Sequence, residues 1–240
     1  MTNRNAIAGR NVETLFCNSV GDNVSVIEKL KETFGIEGRY LNSIKTGIHG
    51  EKCDVKMSFA DGRNIDANIK AYKPDAMFNQ ATRTTISKFK EQIGLTDDEA
   101  NELTDLFLEK AKGTNRPLIP MSLKTKWQSI FEDRAKKIIK WSLSSHPSRE
   151  VLVLYDRTES VMRIYKMSDV IDKAGSNVTF TPRGNIYIGK FMVFQRKGGD
   201  GNVTRYPKTD LRHPSNNVQI KLDVKKFLEA DVPLLARYTI

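Results

Sequence analysis

Apolar residues recur at helical spacing up to Trp141 and at strand spacing beyond Pro147, with one strand-turn-strand pattern set inside the helical part. Such a chain must bury both helix stripes and sheet faces, which excludes pure bundles and pure sandwiches. The spacing predicts helices over 11–16 and 24–34, the second with Val24, Ile27, Leu30 and Phe34 on one stripe. Thr96 and Glu99 form a capping box ahead of Leu103, Phe107 and Leu108, and Gly113 and Pro117 end that helix. A longer helix is expected over 123–141, with Trp127, Ile130, Phe131, Ile138 and Trp141 facing inward. Strands are expected over 151–155, 161–167, 178–180, 186–195 and 218–222. The chain reads as one α/β (α+β) domain over 1–240. A helix-rich part that contains the strand-turn-strand occupies 1–147, and a strand-rich part occupies 148–240.

With 240 residues, 39% apolar and 28% charged, the chain is long enough to bury a sizeable core. No run approaches the roughly 18 apolar residues of a membrane span, and the opening MTNRNAIAGR lacks a signal-peptide core. A cytoplasmic protein without a membrane partner is expected. Cys17 and Cys53 lie far apart with no CxxC or histidine spacing, which favours two reduced thiols over a disulfide or zinc site. The net charge of +10 favours a polyanion as partner. Residues 157–226 hold 14 Lys and Arg against 6 Asp and Glu, so +8 of that excess is concentrated there.

The strand-turn-strand lies over 53–70. Val55, Met57 and Phe59 alternate with polar residues, Asp61-Gly62 supplies a turn, and Ile65, Ala67 and Ile69 alternate again. Asp66, Asn68 and Lys70 then share the opposite face. Hydrolysing a phosphodiester needs a divalent metal, a carboxylate to hold it, and a group that positions water. Asp54 with Asn68-Ile69-Lys70 resembles the PD-(D/E)XK nuclease core, with Asn68 where an acid usually stands. Asp66, on the same face, or Glu13, from the first helix, would supply a second carboxylate. The plain alternative is a solvated hairpin face.

The segment TFTPRGNIYIGK at 179–190, followed by FQRKGGDG at 194–201 and VQIKLD at 218–223, resembles the C-terminal region of the HinP-like type II restriction endonucleases, cutters of four-base G+C sites. The resemblance returns at Asp54, Asn68-Ile69-Lys70 and Phe78-Asn79-Gln80. MspI-like relatives also carry an amide in place of the second acid, so the family resemblance accounts for Asn68. It implies a PD-(D/E)XK core, a central mixed sheet flanked by helices. It further implies Mg²⁺ held by Asp54, the Ile69 carbonyl and water, with Glu13 in support. Asn68 would orient that shell and Lys70 would position the attacking water. Residues 203–217 form an insertion relative to the family, which bears on site preference.

Gln195, Arg196 and Lys197 end an apolar strand before Gly198-Gly199, which mounts amide and basic groups beside a flexible turn. Arg and Lys read guanine N7 and O6, and Gln bonds base edges. A hairpin tip touching only phosphate or solvent is the alternative. Arg183 is a further DNA contact, Lys190 and Arg205 are expected at phosphates, and Gln80 resembles a DNA-facing family position at the start of a helix. Tyr187-Ile188-Gly189 lacks the upstream half of a GIY-YIG motif and reads as strand plus turn. The histidines His49, His146 and His213 are isolated.

The expected activity is Mg²⁺-dependent, sequence-specific double-strand cleavage of DNA at a short G+C palindrome, GCGC foremost, with CCGG and longer sites as alternatives. Double-stranded DNA is the molecular partner and a cognate DNA methyltransferase the genetic one. Cutting both strands requires a homodimer or successive visits by a monomer. A structure-specific repair nuclease and a non-catalytic DNA-binding module are the competing readings.

Overall fold

A computed structural model describes residues 4–47, 52–113, 116–181, 184–199 and 205–240. Arg183, the start of the insertion at Val203 and His49 lie outside them. The element order is α1 (Arg4–Val20), α2 (Val24–Phe34), β1 (Tyr40–Lys45), β2 (Val55–Phe59), β3 (Asn64–Tyr72), β4 (Phe78–Thr84), α3 (Ile86–Ile93), α4 (Asp97–Lys112), α5 (Lys124–Leu143), β5 (Glu150–Asp156), β6 (Val161–Lys166), α6 (Met167–Ala174), β7 (Val178–Phe180), β8 (Ile186–Ile188), β9 (Met192–Arg196), β10 (Val218–Asp223), α7 (Val224–Glu229) and β11 (Ala236–Thr239). The fold is α+β, with a mixed sheet and flanking helices. No helix among the described residues is long and apolar enough to cross a membrane.

Two compact units share the chain. The first comprises 1–79, 143–173 and 231–240, and the second comprises 80–142 and 174–230. In the first, six strands run in the order β1-β2-β3-β5-β6-β11. β3 and β5 are parallel, and the other neighbours are antiparallel. β5 and β6, although beyond Pro147, therefore extend the sheet begun by the hairpin at 55–72. That hairpin closes at Gly62, whose φ of 80° suits a residue without Cβ, while Asp61 Oδ1 accepts from the Arg63 N–H. Val55, Met57, Ile65, Ala67, Val151, Val153, Met162 and Ile164 bury one sheet face with Phe16 and Val20 of α1 and Leu30 of α2.

The second unit holds a five-stranded sheet in the order β4-β10-β9-β8-β7. The capping box of α4 forms in both directions, Thr96 Oγ1 accepting from the Glu99 N–H and Glu99 Oε2 from the Thr96 N–H. Phe194 of β9 packs against Phe89, Phe107 and Phe131 at ring-centroid distances of 5.4, 6.3 and 4.9 Å. Truncating such a side chain costs about 3–5 kcal/mol, so Gln195 and Arg196 grow from a rigid mount. The single strand expected over 186–195 is two, β8 and β9. They are broken at Gly189, where φ is 65° and a Cβ would stand 2.5 Å from the Ala174 carbonyl oxygen. This is the close approach that the tripeptide Tyr187-Ile188-Gly189 serves.

Gln80 does not start a helix; it lies in the strand β4, and the helix that follows, α3, begins at Ile86 behind the N-cap Thr85. FNQATRT carries no helical stripe and contains two threonines, which suit a strand at the edge of a sheet.

Candidate functional site

The hairpin of the first unit positions Asp54 from both sides. Its N–H donates to the Ala67 carbonyl at 2.9 Å, and its own carbonyl accepts from the Thr46 N–H at 3.1 Å. The side chain turns back onto β3, where Oδ2 accepts from the Ile69 N–H at 2.7 Å. Lys70 closes the group: its ammonium stands 3.7 Å from Asp54 Oδ2 and donates to the Ile69 carbonyl at 3.2 Å. A carboxylate and a main-chain carbonyl thus converge on one cation, with side chains 27% and 15% exposed for Asp54 and Lys70.

The solvated-face alternative fails at β3. Asp66 and Asn68 are only 4% and 3% exposed, because β3 is interior to the sheet and covered on both faces. Asn68 Nδ2 donates to the Leu143 carbonyl at 2.8 Å, where α5 ends and the first unit resumes. That carbonyl is one of those a helix C-terminus leaves without an internal partner. Asn68 Oδ1 is buried and accepts no hydrogen bond among the described residues.

Asp66 is engaged elsewhere. It pairs with Arg149 at 3.3 Å, and the register sets it opposite Lys56, two residues beyond Asp54. Burial first, and then the Asp66 carboxylate, push the Cys53 thiol up to about 12. Glu13 lies on α1, where its charge is felt at Cys17 beside that of Lys45. Cys17 and Cys53 are both free thiols. No group of three or more acidic, histidine or cysteine side chains gathers as a metal cluster among the described residues. A metal at Asp54 would therefore draw on few carboxylates.

Two residues that sequence reasoning missed join this region. Burial foremost, and then the neighbouring Lys70 ammonium, push Lys52 down to about 8, against the opposing pull of Asp54 and Glu150. Glu150, 3% exposed, heads β5 opposite Asp66 in the parallel register, and its Oε1 accepts from the N–H groups of Ser145 and His146 at 3.0 and 2.6 Å. The only signal of Glu150 in the sequence is a charge at the head of the apolar run VLVLY. Its placement comes from pairing between strands about 80 residues apart.

In the second unit, three glutamines form a ladder across adjacent strands. Gln195 Nε2 of β9 donates to Gln219 Oε1 of β10 at 2.8 Å, and Gln219 Nε2 donates to Gln80 Oε1 of β4 at 2.8 Å. Gln219 is the buried middle member and Gln80 the exposed end. The ladder is polar in direction, leaving an amide donor at Gln80 and an acyl oxygen at Gln195. Gln219 was hidden within the apolar strand VQIKLD, and cross-strand register alone reveals it. Arg196 is half-buried and held by Asn216 and Ser215, and burial lowers its guanidinium from the usual value. Lys197 donates its N–H to the Asn217 carbonyl at 2.9 Å. Lys190 is exposed, and Arg205 is exposed with its guanidinium on the Tyr206 ring and hydroxyl.

No family model matches the chain, and no curated protein matches it. Among solved structures, the chain is similar to the crystal structure of the restriction endonuclease MspI in complex with its cognate DNA. The identity is 14%, the match covers 83% of this chain and 77% of that one, and the TM-score is 0.48.

Proposed function

We propose that the chain is a metal-dependent DNA endonuclease of the type II restriction class, cutting both strands at a short G+C palindrome. The observation that carries this reading is the convergence of the Asp54 carboxylate and the Ile69 carbonyl on the Lys70 ammonium. Two hard oxygen donors already accommodate a cation there, and the buried Asn68 amide oxygen, without a partner among the described residues, lies one residue away on β3. This donor set fits Mg²⁺, which takes oxygen ligands, requires only one or two carboxylates, and keeps several waters.

Asp54 and the Ile69 carbonyl would hold the ion, with Glu13 the supporting acid and Asn68 orienting the surrounding waters. A bound Mg²⁺ neutralises phosphate charge and lowers the pKa of a water nucleophile. Lys70 then donates to the attacking water or to a phosphate oxygen, so negative charge developing on phosphorus meets a preplaced ammonium. Lys52 adds a second cation in the same region. Ile69 N–H, by bonding Asp54 Oδ2, fixes the carboxylate orientation.

The second unit supports DNA as the substrate. Gln80, Gln195, Arg196 and Lys197 offer amide, guanidinium and ammonium groups suited to base edges, Arg183 is a further base or backbone contact, and Lys190 and Arg205 are assigned to the phosphate backbone. One such site cuts one strand, so both strands require a dimer or two visits. A methyltransferase of matching specificity is the implied partner in the cell.

The test is incubation with unmethylated phage DNA in Mg²⁺ or EDTA, followed by sequencing of fragment ends. Discrete Mg²⁺-dependent fragments ending at one short motif are expected. Cleavage only at nicks or junctions would replace this reading with a repair nuclease, and gel-shifted but intact DNA with a binding module.

A further inference from the structure

Arg196 ends β9, and both units of its fork nearest the chain are taken. Nε donates to Asn216 Oδ1 at 2.8 Å, and Nη2 donates to Ser215 Oγ at 3.0 Å. The two acceptors are themselves fixed. Ser215 is fully buried, its N–H donating to His213 Nδ1 at 3.1 Å and its Oγ 2.8 Å from the same nitrogen. With Nδ1 accepting from the main chain, the Ser215 hydroxyl hydrogen turns to His213 and its lone pairs to Arg196. Asn216, 2% exposed, uses its Nδ2 on the carbonyls of Lys208 and Asp210 at 2.8 and 2.6 Å. That leaves its Oδ1 for the guanidinium.

The main chain completes the attachment. Lys197 N–H donates to the Asn217 carbonyl at 2.9 Å, and Gly198 N–H to the Ser215 carbonyl at 3.0 Å. The last residues of the segment that interrupts the family resemblance are therefore zipped to the end of β9. Nη1, by contrast, makes no hydrogen bond among the described residues. Arg196 borders a recess of about 210 Å³ shared with Gln195, Lys110 and Asn185.

A guanidinium has five N–H donors in a plane, and using the Nε/Nη2 edge leaves the two Nη1 hydrogens and one on Nη2. Those remaining donors form an end-on fork that matches the O6/N7 pair of guanine in the major groove. An Arg held by one edge also loses little rotamer freedom on binding, which sharpens discrimination between bases.

We propose that Ser215 and Asn216 are positioning residues for base recognition: they hold Arg196 by its Nε/Nη2 edge so that its outer fork reads one guanine. This rests on the nuclease reading above and adds to it the origin of specificity at one base pair. The later part of the 203–217 insertion is thus a support for the reader itself.

The experiment uses the full-length protein and a duplex carrying the motif found at its fragment ends. Each base pair of that motif is replaced in turn, and single-turnover cleavage of every duplex is compared with the parent motif. Asn216→Ala, Ser215→Ala and Arg196→Lys should each lower discrimination at the same single G·C pair and its symmetry mate, by roughly ten- to a hundredfold. Ratios at the other pairs should hold. Adding Ser215→Ala to Arg196→Lys should change that ratio no further, because the supported fork is already gone.

Ser215→Ala leaves the Asn216 bonds to Lys208 and Asp210 in place, so it separates loss of the clamp from loosening of the segment. Uniform slowing at all duplexes, or effects of the three variants at different pairs, would overturn the inference while leaving the nuclease reading intact. A parent protein that gives no common end motif would overturn the nuclease reading, and this inference with it.

Discussion

Replacing Asp54 with Asn removes one charge and keeps the shape. The Asn oxygen can still accept the Ile69 N–H that Asp54 Oδ2 accepts at 2.7 Å, so the hairpin keeps its cross-strand link. What is lost is the attraction to Lys70 at 3.7 Å. At that separation two unit charges in an effective dielectric near 20 attract by about 4 kcal/mol before desolvation is counted. The pair is half-buried, between exposed pairs worth about 0–1 kcal/mol and buried ones whose rupture costs about 3–5 kcal/mol, so a stability loss of about 2 kcal/mol is expected. For a chain of this size that lowers Tm by about 4–8 °C and leaves the protein folded at assay temperature. Loss of the carboxylate proposed to hold the metal should remove about 5 kcal/mol of transition-state stabilisation, a roughly 10⁴-fold fall in single-turnover cleavage. Thermal melts and cleavage of one labelled duplex, run on the same preparations, separate the two effects. A variant that cuts within tenfold of the parent, or whose activity falls only in step with its folded fraction, would refute the assignment.

Lys70→Met keeps most of the stem and removes the ammonium; cleavage should fall about 10²–10⁴-fold while gel-shift affinity for the same duplex in Ca²⁺ holds. Gln219→Leu severs both bonds of the glutamine ladder and should weaken binding to the cleavage motif about tenfold, with binding to an unrelated duplex unchanged and stability altered by no more than about 2 kcal/mol. Tyr238, buried in the first unit, is pushed up to about 12, chiefly by burial. The folded value lies above the unfolded value near 10, so this contribution is whole below pH 10 and is lost as pH rises through 12, about 3 kcal/mol in all. Denaturant titrations of the parent and Tyr238→Phe between pH 9 and about 12 should show the steeper alkaline decline only in the parent.

The elements legible in the sequence are those whose burial imposes a period. α2, α4, α5 and the β2–β3 hairpin each carry a regular apolar face, and each lies within a few residues of expectation. β1 was missed because its YLNSIK is largely exposed at a sheet edge and shows no alternation. β4 was missed for a related reason: FNQATRT borders the second sheet and holds Gln80 in a ladder, where neither face is uniformly apolar. Asp54, Asn68 and Lys70 were readable because one hairpin carries all three. Lys52, Glu150, Gln219, Ser215 and Asn216 were not, since their partners are set by the β3–β5 and β9–β10 pairings and by a long return from 205 to 217. The polar character of β3 pointed to solvent on local grounds. Asp66 and Asn68 are interior because β5 pairs alongside β3 and the chain leading into β5 brings the Leu143 carbonyl and Arg149 against their side chains.

In the proposed mechanism the Asp54 carboxylate and the Ile69 carbonyl form a divalent-metal site beside Lys70. Anomalous diffraction from crystals grown with Mn²⁺ tests it directly, with the parent protein and Asp54→Asn examined side by side. An anomalous peak is expected in contact with both the Asp54 carboxylate and the Ile69 carbonyl oxygen, absent in the variant. A peak at other side chains, or one that survives unchanged in Asp54→Asn, would contradict it.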